Sequence, residues 1–380
     1  MARAHPDAAH LASCDLVSDS TQRTAASDLE ALGTVEAVIV AGGFGSRMMP
    51  LTERRPKHLL EVAGVPFVEH QLTRLAAAGV GKVVLATSYH ADMFEPVLGD
   101  GSRFGIELIY VTEDEPLGTG GAIRNVADAL SEDPDAAIVI LNGDILSSHD
   151  LPAQLLGFRT PREGRKVDVS LHLVTVDDAR AFGSVPTDEV GRVTAFLEKS
   201  ENPVTNQINA GCYVFRRSVI DGIPAGQVVS VEYDTFPGLL EGDAVVVGHV
   251  DAAYWRDVGH PHSVVGASCD LVLGVGSSPA FAREDDASAW VSPEAVVSPD
   301  AVVDAGSAVS AGAEVGEQAV VSGSVIHPGA YVGPGARVID SVVACGARIG
   351  AGASVVSCAV GDDAVVADGT QLADEKVPCA

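Results

Sequence analysis

Basic side chains are scarce in this chain of 380 residues, where 24 Lys and Arg stand against 52 Asp and Glu for a net charge of -28. A surface of one sign repels other polyanions, which disfavours nucleic acid and anionic membrane as partners. Long apolar runs are missing too, since none approaches the roughly 20 residues that a bilayer-spanning helix requires. Cysteine is scattered: Cys14, Cys212, Cys269, Cys345, Cys358 and Cys379 form no CxxC pair and have no histidine at metal-ligand spacing. That pattern argues against a zinc site or a disulfide framework, and a reducing cytoplasm is the expected location. Residues 1–34 hold no continuous apolar stretch and carry acids throughout, so a disordered or loosely packed tail is expected there rather than a signal or transit peptide.

What is present is core-forming material for two domains, with 47% of residues hydrophobic. From Val35 apolar runs alternate with helix-like segments: "AVIVAGG" precedes "PFVEHQLTRLAAAGV", "KVVLATSY" precedes "ADMFEPVLG", "ELIYVTEDEP" precedes "TGGAIRNVADAL", and "AAIVILNGD" follows. Continuous runs mark strands covered on both faces, so residues 35–265 read as an α/β domain around a parallel or mixed sheet. The later segments "VDVSLHLVTV", "NAGCYVF" and "AVVVGHV" alternate more, as partly exposed or antiparallel additions would. Residues 266–289, with "GSSP" and "REDDAS", read as a linker.

Near residue 290 a different period takes over. Valine, isoleucine or leucine recurs every six residues at Val291, Val297, Val303, Val309, Val315 and Val321, then after five-residue steps at Ile326, Val332 and Val338, at Val343, Ile349 and Val355, and at Val360, Val366 and Leu372. Such a period is the mark of a hexapeptide β-helix, in which only stacking of successive coils buries the anchors, and about five coils are expected over residues 290–372. Residues 373–380 read as a tail. The repeats hold only Arg337 and Arg348 as basic residues, so they read as structural, with exposed flanks suited to self-association.

The stretch "AVIVAGGFGSRMMPLTERRPK" runs a strand into a glycine turn and then into bases. It is not a Walker A loop, because no Gly-Lys-Ser/Thr closes it, and not a dinucleotide fingerprint, because Met48 stands where a third glycine is needed. Gly42, Gly43 and Gly45 would still let backbone N–H groups approach an anion, with Arg47 and Lys57 supplying charge. On the glycines alone an ordinary strand-to-helix turn is as good a reading. Asp144 follows the buried run "AAIVILNG", which puts its carboxylate at the carboxyl edge of the sheet, and Asp257 in "YWRDVG" has a comparable setting. Two carboxylates can hold an octahedral Mg²⁺ together with phosphate oxygens and water.

Taken whole, this string resembles the signature AGGxGTRLxPLTxxxPK of the nucleotidyl-sugar pyrophosphorylases, with Ser46 and Met48 as mild departures. The resemblance continues in order through "EPLGTGGAIRN", "LNGD", "FGSV", "FLEK", "NAGCYVF" and "WRDVG", covering roughly residues 35–265. It implies a Rossmann-like, GT-A-like mixed-sheet nucleotidyltransferase domain followed by a left-handed parallel β-helix, an arrangement found in many members. It further implies Ala41, Gly42, Gly43, Gly45, Gly118 and Thr119 as nucleotide contacts. Gly183, Glu198, Lys199 and Asn209 become sugar contacts, Arg47, Lys57 and Lys199 the catalytic cations, and Asp144 and Asp257 the holders of Mg²⁺. The reaction implied joins a nucleoside triphosphate to a sugar 1-phosphate, releasing pyrophosphate by charge neutralisation and positioning, with no general base required. "PLGTGGA", "SVEYDTFPGLL" and "FGSV" look most like guanylyltransferases acting on mannose or heptose 1-phosphates, with a cyclitol phosphate also open. Adenylyl or thymidylyl transfer to glucose 1-phosphate is the alternative, as is a non-catalytic regulatory subunit, although all five of Arg47, Lys57, Asp144, Lys199 and Asp257 are present. Acyl transfer, which hexapeptide folds also support, has only His327 to offer as a base. A homo-oligomer, dimer or tetramer, is expected.

Overall fold

The computed structural model describes residues 35–380; the expected tail at residues 1–34 lies outside them. The first domain runs β1 (Val35–Ala41), β2 (Glu61–Val62), β3 (Val65–Pro66), α1 (Phe67–Ala77), β4 (Val80–Thr87), α2 (Phe94–Leu98), β5 (Glu107–Thr112), α3 (Gly118–Asn125), β6 (Ala137–Asn142), β7 (Ile145–Ser147), α4 (Leu151–Arg159), β8 (Val169–Thr175), β9 (Gln207–Arg216), α5 (Arg217–Asp221), α6 (Phe236–Glu241), β10 (Val246–Val250), β11 (Trp255–Asp257) and α7 (Pro261–Leu273). Seven strands form one sheet in the order β10-β8-β9-β6-β1-β4-β5, all neighbours parallel except that β9 is antiparallel to both β6 and β8. Both faces are covered, as the continuous apolar runs require. Ile39, Val83 and Leu85 pack with Leu72 and Leu75 of α1 and Leu151 and Leu155 of α4, while Val38, Val84 and Ile140 pack with Ile123 of α3 and Phe236 of α6. The chain leaves β1 toward β4 on one side and reaches β6 on the other, so the strand order reverses between β1 and β6. Their carboxyl ends frame the crevice in which open α/β sheets bind ligands.

The later strands depart from expectation in one respect. β9 is antiparallel, but β8 and β9 are buried along almost their whole length rather than partly exposed. The polar positions that made β8 look half-solvated are covered and contacted by neighbouring segments, although His172 Nδ1 is buried without a partner. Gln154 of α4 donates to the Ser170 carbonyl at 3.2 Å, and His172 Nε2 lies 3.3 Å from Asp251 Oδ1.

The C-terminal domain is three parallel sheets of six, five and five strands, the arrangement of a left-handed parallel β-helix. From Val309 to Val366 the hexad anchors are buried in one continuous core with the alanines four residues after them, Ala313, Ala319, Ala330, Ala336, Ala347, Ala353 and Ala364. Val291, in the first coil, is 40% exposed because no coil covers it from beyond. At the five-residue steps the left-handed residue comes two positions after the anchor, at Gly323, Asp340, Ser357 and Asp374 with φ 55°, 46°, 53° and 56°, one position sooner than at six-residue steps such as those turning at Gly312 and Gln318. A ladder of Ser307, Ser324 and Ser341 hydroxyls then accepts the N–H of the residue 17 positions on, at 3.0, 3.1 and 2.9 Å.

Two expected boundaries move. α7 continues through residues 265 and 266 to Leu273, so the segment read as linker begins inside a helix whose Val264, Val265, Leu271 and Val272 pack on Val325, Val342 and Ala359 of the β-helix. At the other end Lys376–Val377 is a strand paired with Ala359–Val360, so part of the expected tail belongs to the last coil. Val377 is one more five-residue step beyond Leu372, which the spacing already allowed.

Candidate active site

The segment after β1 is shaped by its own backbone demands. Gly43 has φ 94° and Gly45 φ 59°, conformations that side chains resist, and a β-carbon on Gly43 would meet nothing within 4 Å. Gly43 therefore faces open space, its N–H pointing to Ser88 Oγ at 3.2 Å. Buried Thr52 pins the turn from beneath by donating to the Gly45 carbonyl at 2.9 Å. Phe44, 61% exposed, meets Tyr89 edge-to-face at 5.3 Å on the rim. Because β1, β4 and β6 are parallel, with Val40 opposite Asn142 and Ala41 opposite Thr87, this turn, Ser88 and Asp144 all emerge at one edge.

Asp144 and Asp257 are 113 residues apart in number but are joined by backbone. β7 and β11 form a two-stranded ribbon in which Asp257 pairs with Ile145, and the Val258 N–H donates to the Asp144 carbonyl at 2.8 Å. Gly143 must be glycine, since a β-carbon there would lie 2.5 Å from the Val40 carbonyl and 2.7 Å from His58 Nε2. Lys57 Nζ reaches Asp144 Oδ2 at 2.7 Å with both side chains largely covered. Burial alone would raise the Asp144 carboxyl, but the Lys57 ammonium, helped by Arg47, holds it below the usual range. Asp257 goes the other way, raised by burial and by the negative Asp144, which Arg47 and Lys57 only partly offset. Its Oδ1 is buried without a hydrogen-bond partner. An unpaired buried carboxylate oxygen beside a second carboxylate fits a divalent cation whose other positions are taken by phosphate and water. No group of three or more His, Cys, Asp or Glu side chains among the described residues could enclose an ion.

A second cluster lies around α3. Gly118 (φ 74°), Gly120 and Gly121 are demanded by the protein itself. β-carbons on Gly118 and Gly121 would sit 2.6 Å from the carbonyls of Val229 and Gln227, and the Gly120 and Gly121 N–H groups donate to the Val229 carbonyl at 2.8 and 3.2 Å. Thr119 Oγ1 donates to Glu232 Oε2 at 2.8 Å and accepts the Val231 N–H at 2.9 Å. Glu198 stands over Gly183, whose β-carbon would be 2.5 Å from Glu198 Oε2. Burial and the neighbouring Glu232 charge push the Glu198 carboxyl up against the opposing pull of Lys199. Asn209 donates its N–H to the Gly183 carbonyl at 2.9 Å and its Nδ2 to Tyr213 Oη at 2.8 Å. Lys199 is exposed and takes φ 31°, a positive value rare for lysine and of the kind that clusters at functional sites.

The structure thus gathers Arg47, Lys57, Asp144 and Asp257 into one group and Gly183, Glu198, Asn209 and Thr119 into another, with Lys199 on the rim of the second. Sequence reasoning did not single out Glu232, which bridges Thr119 and the neighbourhood of Glu198, although its segment "SVEYDTFPGLL" was noted. Glu113 was also missed. Its Oε1 is buried without a partner, its Oε2 lies 3.9 Å from where a β-carbon of Gly42 would be, and burial raises its carboxyl. His327 is excluded as a base: it is buried at the domain seam, with Nε2 3.2 Å from the Glu61 carbonyl.

A glycine turn facing open space, with two cations and two carboxylates at a strand-order switch, defines an α/β enzyme that handles phosphate groups. Comparison settles which one: the nucleotidyl transferase family pattern matches residues 36–272, and the chain belongs to that family. Residues 286–379 match the GMPPB C-terminal domain. A mannose-1-phosphate guanylyltransferase of Mycobacterium tuberculosis is 54% identical over 65% of this chain and 67% of its own length. The mannose-1-phosphate guanylyltransferase catalytic subunit beta of Drosophila pseudoobscura pseudoobscura is 36% identical over 61% of each chain. This chain therefore spans about two thirds of the relatives it matches. Among solved structures, HddC from Yersinia pseudotuberculosis superposes with a TM-score of 0.52 at 29% identity, covering 61% of this chain and 97% of that one. HddC has also been solved with GMP-PN, and that structure matches with a TM-score of 0.51. Among the described residues no helix is long and apolar enough to cross a membrane.

Proposed function

We propose that this chain is a sugar-1-phosphate guanylyltransferase, forming a GDP-sugar and pyrophosphate from GTP and mannose 1-phosphate or a closely related aldose phosphate. The observation that carries the reading is the Asp144–Asp257 pair held at the β1/β6 switch beside Lys57 and Arg47. A sugar-phosphate oxygen forms a bond to the α-phosphorus in line with the bond that breaks, and pyrophosphate leaves with that electron pair. Both reactants are anions, so the chain's task is to hold them together and neutralise charge. Arg47 faces the leaving group, while Lys57 and Lys199 draw in the sugar phosphate. Glu198 and Asn209, with the Gly183 backbone, orient the sugar hydroxyls. Ala41, Gly42, Gly43 and Gly45 present backbone to the triphosphate, with Gly118 and Thr119 on its nucleoside side. Asp144 and Asp257 would hold Mg²⁺, which when bound neutralises phosphate charge.

The names of the relatives support guanine, and so does the unpartnered Oε1 of Glu113, whose carboxylate lies beside Gly42 and also takes a hydrogen bond from the Leu117 backbone. A carboxylate accepts two parallel N–H donors, which guanine presents at N1 and N2 and the other common bases do not. The reading further takes the enzyme as a cytoplasmic homo-oligomer, supported by the exposed valines Val296, Val302 and Val365 on the β-helix. Pyrophosphate release should be measured with Mg²⁺ over GTP, ATP, UTP and dTTP against mannose, glucose and heptose 1-phosphates. Release confined to the GTP row is expected; activity confined to another row would overturn the base assignment, and silence throughout from folded protein would overturn the reaction.

A further inference from the structure

We propose that the last coil of the β-helix completes a diphosphate-binding pocket with the signature turn, Lys376 supplying a cation that no catalytic-domain motif carries. The proposal rests on the nucleotidyl-transfer reading and names the occupant as the pyrophosphate leaving group.

A cavity of about 230 Å³ lies between the two domains, with Arg47, His260, His262, Asp340 and Lys376 in its walls. Its two cations, Arg47 and Lys376, come from elements distant in sequence, the turn after β1 and the final strand of the β-helix, and the start of α7 adds the imidazoles of His260 and His262 as neutral hydrogen-bonding groups. In a chain of net charge -28 such a convergence runs against the surrounding field, and α7, a helix of 13 residues, adds its partial positive end. Lys376 is tied to the catalytic turn directly, its Nζ donating to the Arg47 carbonyl at 3.2 Å. The same coil grips the turn at two further points: Cys379 Sγ lies 3.5 Å from the Pro50 carbonyl, and Arg54 pairs with Asp363 at 2.7 Å.

The pocket also adjoins the carboxylate pair. A β-carbon on Gly259 would lie 2.7 Å from Asp257 Oδ1 and 3.0 Å from Arg47 Nη2, so that glycine is the thin wall between the carboxylate and the guanidinium. Burial holds His260 below its ordinary value, and while Asp257 pulls it up, His262, Arg47 and Lys376 all push it down, so the groups share one field. Asp340 is the single acid in the wall. Reversing the reaction requires pyrophosphate to re-enter as a free anion, and a cavity with this sign beside Asp257 is where it would be held.

The test uses the full chain and its Lys376→Ala and Lys376→Arg variants. Pyrophosphate alone is titrated into each by calorimetry, and the KM for pyrophosphate is measured in the reverse reaction with GDP-mannose. Lys376→Ala should weaken pyrophosphate in both assays by about 10-fold, as loss of one charged phosphate contact does, with the GDP-mannose KM unchanged. Lys376→Arg should stay within about 2-fold of the parent. Unchanged pyrophosphate binding in Lys376→Ala would overturn the proposal, and so would a loss matched by equal weakening of GDP-mannose, which marks a structural prop. Binding that depends on Lys376 in a protein that forms no nucleotide sugar would instead sink the reaction assignment and leave the pocket standing.

Discussion

Gly183 sits so close to Glu198 that a β-carbon built on it would lie 2.5 Å from Oε2 and 3.1 Å from Cε1 of Phe196. Gly183→Ala therefore leaves the main chain in place but forces the Glu198 carboxylate back by about 1 Å to reach ordinary contact distance. The carboxylate is the far end of a flexible side chain, so the fold can absorb the change. The Asn209 N–H bond to the Gly183 carbonyl at 2.9 Å is backbone and persists. Misplacing a positioning group by that distance costs on the order of 10²-fold in rate. A lost hydrogen bond to a charged group is worth about 1.5–3 kcal/mol, or roughly 10- to 150-fold, which agrees. Steady-state kinetics with mannose 1-phosphate varied at saturating GTP should show this loss in kcat/KM, while calorimetric GTP binding stays at the parent value. Glu198→Ala should cost as much, and the double variant little more, because both act on one group. A folded Gly183→Ala enzyme with parental kinetics toward the sugar phosphate would refute the placement of Glu198.

Asp257→Asn removes the charge that Asp144 opposes, so its thermal midpoint should equal or exceed the parent's, while pyrophosphate release falls on the order of 10²-fold and its Mg²⁺ requirement rises. A parental Mg²⁺ titration would count against the carboxylate pair. Gly64→Ala would set a β-carbon 2.0 Å from the Trp290 ring at φ 76°, which should destabilise the domain seam by about 2–4 kcal/mol in chemical denaturation; Gly64→Ala with Trp290→Ala should recover part of it. Burial holds His58 near about 3 and His70 near about 4, well under the ordinary 6.5, so the unfolded chain binds protons that the folded chain refuses. Their stabilisation is full above pH 6.5 and is lost as pH falls from there toward the folded values, about 2 kcal/mol each by pH 5. Denaturation at pH 7.5 and 5.0 should show a smaller drop for His70→Gln than for the parent, and equal drops would remove His70 from the account.

What was legible in the sequence was whatever repeats or sits next to itself along the chain. The valine anchors from Val309 to Val366 face a core made of their own copies, so their spacing alone declares the β-helix. The runs in β1, β4 and β6 are continuous because helices cover both faces, and Asp144 could be placed because it ends one of those runs. What escaped depends on contacts between remote segments. The buried polar residues of β8 mimic an exposed face until α4 and Asp251 are in view. Helix α7 reads as the start of a linker because its apolar residues answer to Val325 and Val342, about 60 residues later. The glycines of "GTGGA" read as room for a ligand, yet the direct reason for them is that the 227–229 backbone occupies the space on their β-carbon side.

The charge balance makes sense of how an acidic chain handles two polyanionic reactants. Many of its bases are engaged by acids: Arg55 with Asp362, Arg216 with Asp135, Arg217 with Asp221 and Arg256 with Asp270 lie at 2.6–2.9 Å. Among the described residues, Arg47, Lys199 and Lys376 form no such ion pair, and all three border the places assigned to phosphate. The long-range field therefore repels anions, and attraction is confined to a few ångströms around these cations. With no supporting field, removing one of them is not cushioned by the rest of the surface. Lys57 is the exception, paired to Asp144 at 2.7 Å, so its charge is already partly answered by a carboxylate of the same site.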